Sequence, residues 1–239
     1  MKEKKYVTII ANSVIIFVLI VLFAATLSGN SAIEVLNKGK KEAVYRGDEK
    51  KAEVSLMINV YWGTEYVLPM AKIFEAYGYN TTFFLGGSWL SENIDMVVEL
   101  DKLGFELANH GYNHKNHKSL SVEENRKELM VTNNVLCKII GRQPVKLFAP
   151  PSGYIGENMM NVCENEGFEV IMWSRDTIDW RDKDSNIIYS RAIKNMKNGD
   201  LILIHPTAHS LEALPNILNY CKQNGFKVVT VSQNINSLV

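Results

Sequence analysis

The stretch "GFELANHGYNHKNH", Gly104 to His117, decides how the chain is read. A glycine that stops a helix, the short strand candidate "FELAN" and a polar loop follow one another without a break. Three of the chain's five histidines lie in that loop. Working outward, the same punctuation recurs. Strand candidates are Val54–Val60, Thr81–Gly87, Phe105–Asn109, Lys146–Ala149, Phe168–Trp173, Leu201–His205 and Phe226–Val231. Helix patterns fill the intervals at Glu65–Tyr77, Ser91–Leu103, Val122–Ile140, Ile155–Glu166, Ser185–Met196 and Ser210–Gln223. Glycines in "AYGY", "KLGF", "NEGF" and "QNGF" stand where helices should end. Strands alternating with helices predict an α/β fold with parallel strands, as a closed barrel or a doubly wound sheet.

Placing the polar residues on this pattern brings out a site. Asn59 lies near the end of the first strand, Asn109 and His110 just past the third, and Pro150, Pro151 and Ser152 after the fourth. Asp176, Asp179 and Trp180 follow the fifth, and His205 ends the sixth. Parallel α/β folds gather their C-terminal strand ends at one rim, so residues scattered in sequence are expected to share one cleft. Blander readings apply to the rest. "HKNHK" around His117 reads as a solvated loop and His209 as the exposed start of a helix. Trp62 and Trp89 read as core aromatics or sugar platforms, which sequence does not separate, with core packing the default.

The chain has 239 residues, balanced charge and 46% hydrophobic residues, an ordinary globular composition. Neutrality argues against a nucleic-acid binder working by phosphate neutralisation. Cys137, Cys163 and Cys221 are far apart, with no metal or redox spacing, and read as core thiols. The N-terminus differs. The apolar run Val7–Leu27 follows Lys2, Lys4 and Lys5 and approaches the roughly 20 residues that span a bilayer. It exceeds the ~7–15 apolar residues of a cleaved signal peptide. Residues 1–28 are therefore expected to be a cytoplasmic stub with a single transmembrane signal-anchor, and the N-terminal lysines place the following domain on the extracytoplasmic face. Residues 29–52 are polar and charged and read as a linker, and residues 53–239 as the folded domain.

The motifs of that domain resemble the polysaccharide deacetylase (NodB-homology) family. "GFELANHGYNH" is similar to the family's histidine motif, "APPSG" to its R-P-P-Y-G segment, "WSRDTIDW" to D-x-x-D-W, and "LILIH" to its terminal L-x-H. "TTFFLGGSW" fits the second-strand pattern. The resemblance implies a distorted (β/α) barrel of about seven parallel strands. It further implies a divalent, zinc-like metal held by an aspartate and two histidines, here His110 and His114. His205 would be the general acid and Asp176 the residue that tunes it. Pro151 and Ser152 would line the substrate and oxyanion pocket, and Trp180 would face the sugar. The first motif departs from the pattern. T-F-D-D-G aligns with "MINVYWG", so the base aspartate is Asn59 and the metal aspartate is Val60. The arginine that holds the base is Ala149, which has a physical logic, because a buried arginine without its carboxylate would be an unpaired charge. "NVYWGTE" also resembles a variant found among sporulation-associated members. Glu65 is a candidate substitute for the lost metal carboxylate.

Two functions follow from the resemblance. The first is a membrane-tethered, metal-dependent hydrolase that removes N-acetyl groups from amino-sugar glycans of the envelope, such as peptidoglycan or chitin-like oligomers. The second is an inactive relative whose barrel persists as a glycan-binding or envelope assembly module.

Overall fold

The computed structural model describes residues 12–20, 23 and 42–236. The chain forms two units, Met1–Lys41 and Glu42–Val239. In the first, residues 12–20 are helical and exposed. Most of the expected span Val7–Leu27, and the linker up to residue 41, lie outside the described residues. Among those that are described, no helix is long and apolar enough to cross a membrane.

In the second unit the chain runs β1 (Glu53–Val60), α1 (Thr64–Ala76), β2 (Thr82–Leu85), α2 (Gly87–Glu92), α3 (Ile94–Lys102), β3 (Glu106–Asn109) and α4 (Val122–Ile140). It continues through β4 (Leu147–Phe148), α5 (Glu157–Glu166), β5 (Glu169–Val170), β6 (Arg175–Asp176), α6 (Ser185–Ile193), β7 (Leu201–Ile204), α7 (Ala208–Gln223), β8 (Lys227–Val228) and α8 (Val231–Ile235). The sheet order is β5-β4-β3-β2-β1-β7-β6, with β8 paired to β1, and the pairs are parallel. Seven parallel strands along this path, with helices outside and the short β8 beside β1, fit the distorted barrel.

Period-2 alternation divides β1, β2, β3 and β7 between two cores. Met57, Phe84, Ala108, Leu147, Ala149, Ile171 and Leu201 face one apolar cluster. Leu56, Ile58, Val60, Phe83, Leu85, Leu107, Ile202 and Ile204 face another, against the helices α1, α3 and α7. The first series is the barrel interior. Continued upward it ends on Asn59 in β1, and one step beyond the strands on His110 and His205.

Four local expectations are corrected. The pattern at Ser91–Leu103 is two helices, because Asn93 leaves helical geometry (φ −129°) while its side chain donates to Trp89 O at 2.8 Å. Arg175–Asp176 forms a strand too short and too polar to show in the pattern. Val231 starts a helix and not the end of a strand, because Thr230 and Gln233 form a reciprocal capping box. Residues 42–52 are not a free tether. Val44 pairs with Ile171, and Arg46 with Asp200, so this segment bridges the gap between β5 and β7. Arg46 anchors it with a 2.5 Å bond to the buried Asp200.

Candidate functional site

The C-terminal strand ends enclose a cleft of about 430 Å³. Asn59, Trp62, His110, His114, Ser152, Asp176, Trp180 and His205 all line it, so the residues read from separate motifs do meet. Pro151 does not reach the wall; it is buried and starts the short 3-10 turn that carries Ser152. Ser152 and His114 adopt left-handed φ values of 55° and 52°. Non-glycine residues held there cost of order 1–3 kcal/mol and tend to cluster at functional sites.

The histidine side of the cleft is tightly held. His110 is buried, and its Nδ1 lies 2.7 Å from Ala149 O. A carbonyl can only accept, so Nδ1 carries a hydrogen and the neutral ring keeps its lone pair on Nε2. Burial, with His114 nearby, pushes the His110 pKa down to about 3, and burial lowers His114 as well. The two rings are 5.2 Å apart. Behind them Glu128, buried in α4, accepts the backbone N–H groups of Tyr112 at 2.8 Å and Asn113 at 2.7 Å. Burial pushes the Glu128 carboxyl up, but these N–H groups and Lys115 outweigh it and hold it below the usual range. His117 is not solvated. Its Nδ1 meets Asn125 Oδ1 at 2.7 Å, and its ring fits against Gly111, where a Cβ would stand 2.9 Å from Nε2.

At the end of β7, His205 Nδ1 lies 2.7 Å from Asp179 Oδ1. The other oxygen of Asp179 accepts His205 N at 2.6 Å and Ser210 Oγ at 2.5 Å. The partner of His205 is therefore Asp179 and not Asp176. Asp176 faces the cleft while its Oδ1 accepts Ile178 N at 2.8 Å. Ile178, a β-branched residue at φ 53°, is the tight corner that sends the two aspartates to different places. Trp62 is 42% exposed and stacks on His205 with ring centroids 5.6 Å apart, so it belongs to the site and not to the core. Gly63 permits this approach, because a Cβ there would come within 1.9 Å of Pro206 O. Trp89 does belong to the core, with Nε1 donating to Thr64 Oγ1 at 2.8 Å.

The end of β1 supplies no acid. Asn59 is buried, and its Oδ1 has no hydrogen-bond partner. Val60 belongs to the outward series, in the helix-side core. Glu65, in the first turn of α1, is exposed and outside the cleft wall.

Comparison with known proteins decides the family. The polysaccharide deacetylase family model matches residues 46–171. The chain belongs to the polysaccharide deacetylase family. It is 33% identical over 192 residues to the uncharacterized protein YlxY of Bacillus subtilis, covering 80% of this chain and 60% of YlxY. A peptidoglycan-N-acetylglucosamine deacetylase of Bacillus cereus is 29% identical, over 78% of this chain and 70% of that one. The crystal structure of BA3943 from Bacillus anthracis, described as a CE4 family pseudoenzyme, superposes with TM-score 0.78 and 34% identity, over 81% of this chain and 68% of that one. A mutant of BA3943 described as having restored enzymatic activity superposes with TM-score 0.78 at 32% identity, over 81% of this chain and 71% of that one.

Polysaccharide deacetylases are generally metal-dependent, so the residues present can be tested against a metal. His110 offers the right tautomer, with its second nitrogen oriented by a carbonyl as in metal sites. Catalytic zinc takes three protein ligands. Among the described residues no group of three or more His, Cys, Asp or Glu side chains is arranged so that it could hold a metal ion, and the inward residue of β1 is a carboxamide. This donor set does not fit a three-ligand hydrolytic metal centre. Glu65 does not complete it.

The residues that sequence reasoning missed were Glu128 and the true partner of His205, and it could not decide between core and site for Trp62. Glu128 gave no signal, because its partners are backbone and side-chain groups of a loop outside its own helix. Asp179 was visible in D-x-x-D-W, but only the turn at Ile178 shows which aspartate reaches the histidine.

Proposed function

We propose that this chain is a glycan-binding member of the polysaccharide deacetylase family in which hydrolysis of the N-acetyl group is lost or reduced to a trace. The observation that carries this reading is Asn59. A carboxamide neither takes a proton near neutral pH nor replaces a metal carboxylate. The likeness to a family pseudoenzyme supports the reading, and the likeness to peptidoglycan deacetylases supports an amino-sugar envelope glycan as the ligand. The test is zinc content and acetate release from N-acetylated oligosaccharides, measured with glycan binding on the full chain. Binding without stoichiometric zinc or acetate is expected.

A second reading, a working metal-dependent deacetylase, is favoured by the oriented Nε2 of His110 and the His205–Asp179 pair. Stoichiometric zinc, with acetate release that falls in His205→Ala, would establish it instead. We further propose that the apolar run Val7–Leu27 anchors the chain in the cell membrane with the domain outside. Protease added to intact cells should then degrade the domain, and protection would place it in the cytoplasm.

A further inference from the structure

We propose that the cleft seats the protonated amine of a de-N-acetylated amino sugar, using Asn59 Oδ1, the Nε2 lone pair of His110 and the carboxylate of Asp176. The inference rests on the reading of the cleft as a glycan site. It follows from the disagreement between that cleft and a metal centre.

The unfilled chemistry of the wall is acceptor chemistry. Asn59 Oδ1 is a buried oxygen with no partner, a state that is unfavourable unless something donates to it. His110 shows the cleft a nitrogen lone pair, because its hydrogen is committed to Ala149 O. Asp176 brings a negative charge, and no lysine or arginine lines the cleft itself, although Arg181 interacts with Asp176 from outside that wall. Trp62 and Trp180 stand in the same wall, 42% and 57% exposed, and indole faces attract cations. An alkylammonium brings three N–H donors and one positive charge. An acetamide brings one donor, no charge and a carbonyl that needs a donor in return. The wall therefore favours the free amine over the N-acetyl form of the same sugar.

The test uses the full chain in chelator-treated buffer, titrated with glucosamine oligomers and with N-acetylglucosamine oligomers of equal length. The expected result is at least tenfold tighter binding of the free-amine oligomer. Equal binding, or tighter binding of the acetylated oligomer, overturns the inference and leaves the glycan reading standing. Binding of neither removes the glycan reading and the inference with it. Asp176→Asn and Asn59→Leu should each lower the preference several-fold while the circular dichroism spectrum stays unchanged. An unaltered preference in both variants places the amine elsewhere and refutes the assignment. Spermidine separates recognition from general attraction of cations: it should fail to displace the oligomer, and displacement at matched concentration overturns the proposal.

Discussion

The ends of β3 and β1 face one cleft but carry different chemistry. At β3 the histidine loop is held from several sides. His110 is fixed by Ala149 O, and Glu128 holds the loop between His110 and His114 by its backbone. At β1 the oxygen of Asn59 has no partner, Val60 turns into the helix-side core, and Trp62 lies over His205. The difference teaches that a histidine shell can be well ordered without carboxylates beside it, because its hydrogen bonds also hold the loop in place. Geometry at β3 therefore says little about chemistry unless β1 agrees.

The largest effect should come from making β1 agree. Asn59→Asp with Val60→Asp restores both acids at the positions aligned with the family's first motif, and a general base alone is worth about 10²–10⁴-fold. Acetate release should rise at least ~10²-fold over the unmutated chain, with zinc added. Val60 faces an apolar cluster, so in zinc-free buffer its carboxylate should lower stability by about 3 kcal/mol. Zinc should reverse much of that loss if the strand end turns toward the cleft. A double variant that neither binds zinc nor releases acetate would show that the β1 end cannot be rebuilt by two side chains.

The next effect separates the two aspartates. Asp179→Ala leaves His205 and Ser210 without their acceptor in a buried network, and a loss of about 3 kcal/mol in urea unfolding is expected. Asp176→Asn, at a side chain that accepts from the nearby Ile178 N–H, should change stability by less than ~1 kcal/mol. Equal losses would mean that the roles assigned across the Ile178 corner are wrong.

A third effect concerns the β3 side alone. Folded His110 stays neutral down to about pH 3, whereas in the unfolded chain the ring titrates near 6.5. Between those values the unfolded state binds the extra proton, so stability falls as pH drops below about 6.5. For this one ring the loss from pH 7 to pH 5 is about 2 kcal/mol. His110→Gln should flatten the profile by that amount, and an unchanged slope would return the ring to the ordinary histidine range.

How much of this could be read from sequence differs between the same regions. The strand-helix alternation was legible because alternate residues of β1, β3 and β7 meet different cores, and the convergence at the rim followed from it. That the end of β1 carries no acid was legible as Asn59 and Val60. Which way Val60 points was not, since the motif carries no information about the face of the strand. The seam at Val44 and Arg46 was hidden by charged composition. Its pairing is set by Asp200, a partner 154 residues away from Arg46.

The smallest effect tests the two tryptophans that sequence could not tell apart. Trp89 is 4% exposed and donates to Thr64 Oγ1, so Trp89→Ala should cost about 3–5 kcal/mol through cavity formation. Trp62 is 42% exposed, and its inner face covers His205 while its outer face meets solvent. Removing it opens space that water can fill, so Trp62→Ala should change unfolding free energy by no more than ~0.5 kcal/mol. Its effect belongs to ligand affinity instead, where an indole platform lost from a sugar or ammonium site should weaken binding measurably while Trp62→Phe keeps part of it. If Trp62→Ala unfolds the domain as readily as Trp89→Ala, the ring over His205 is core after all, and the β1 end of the cleft is closed to ligand.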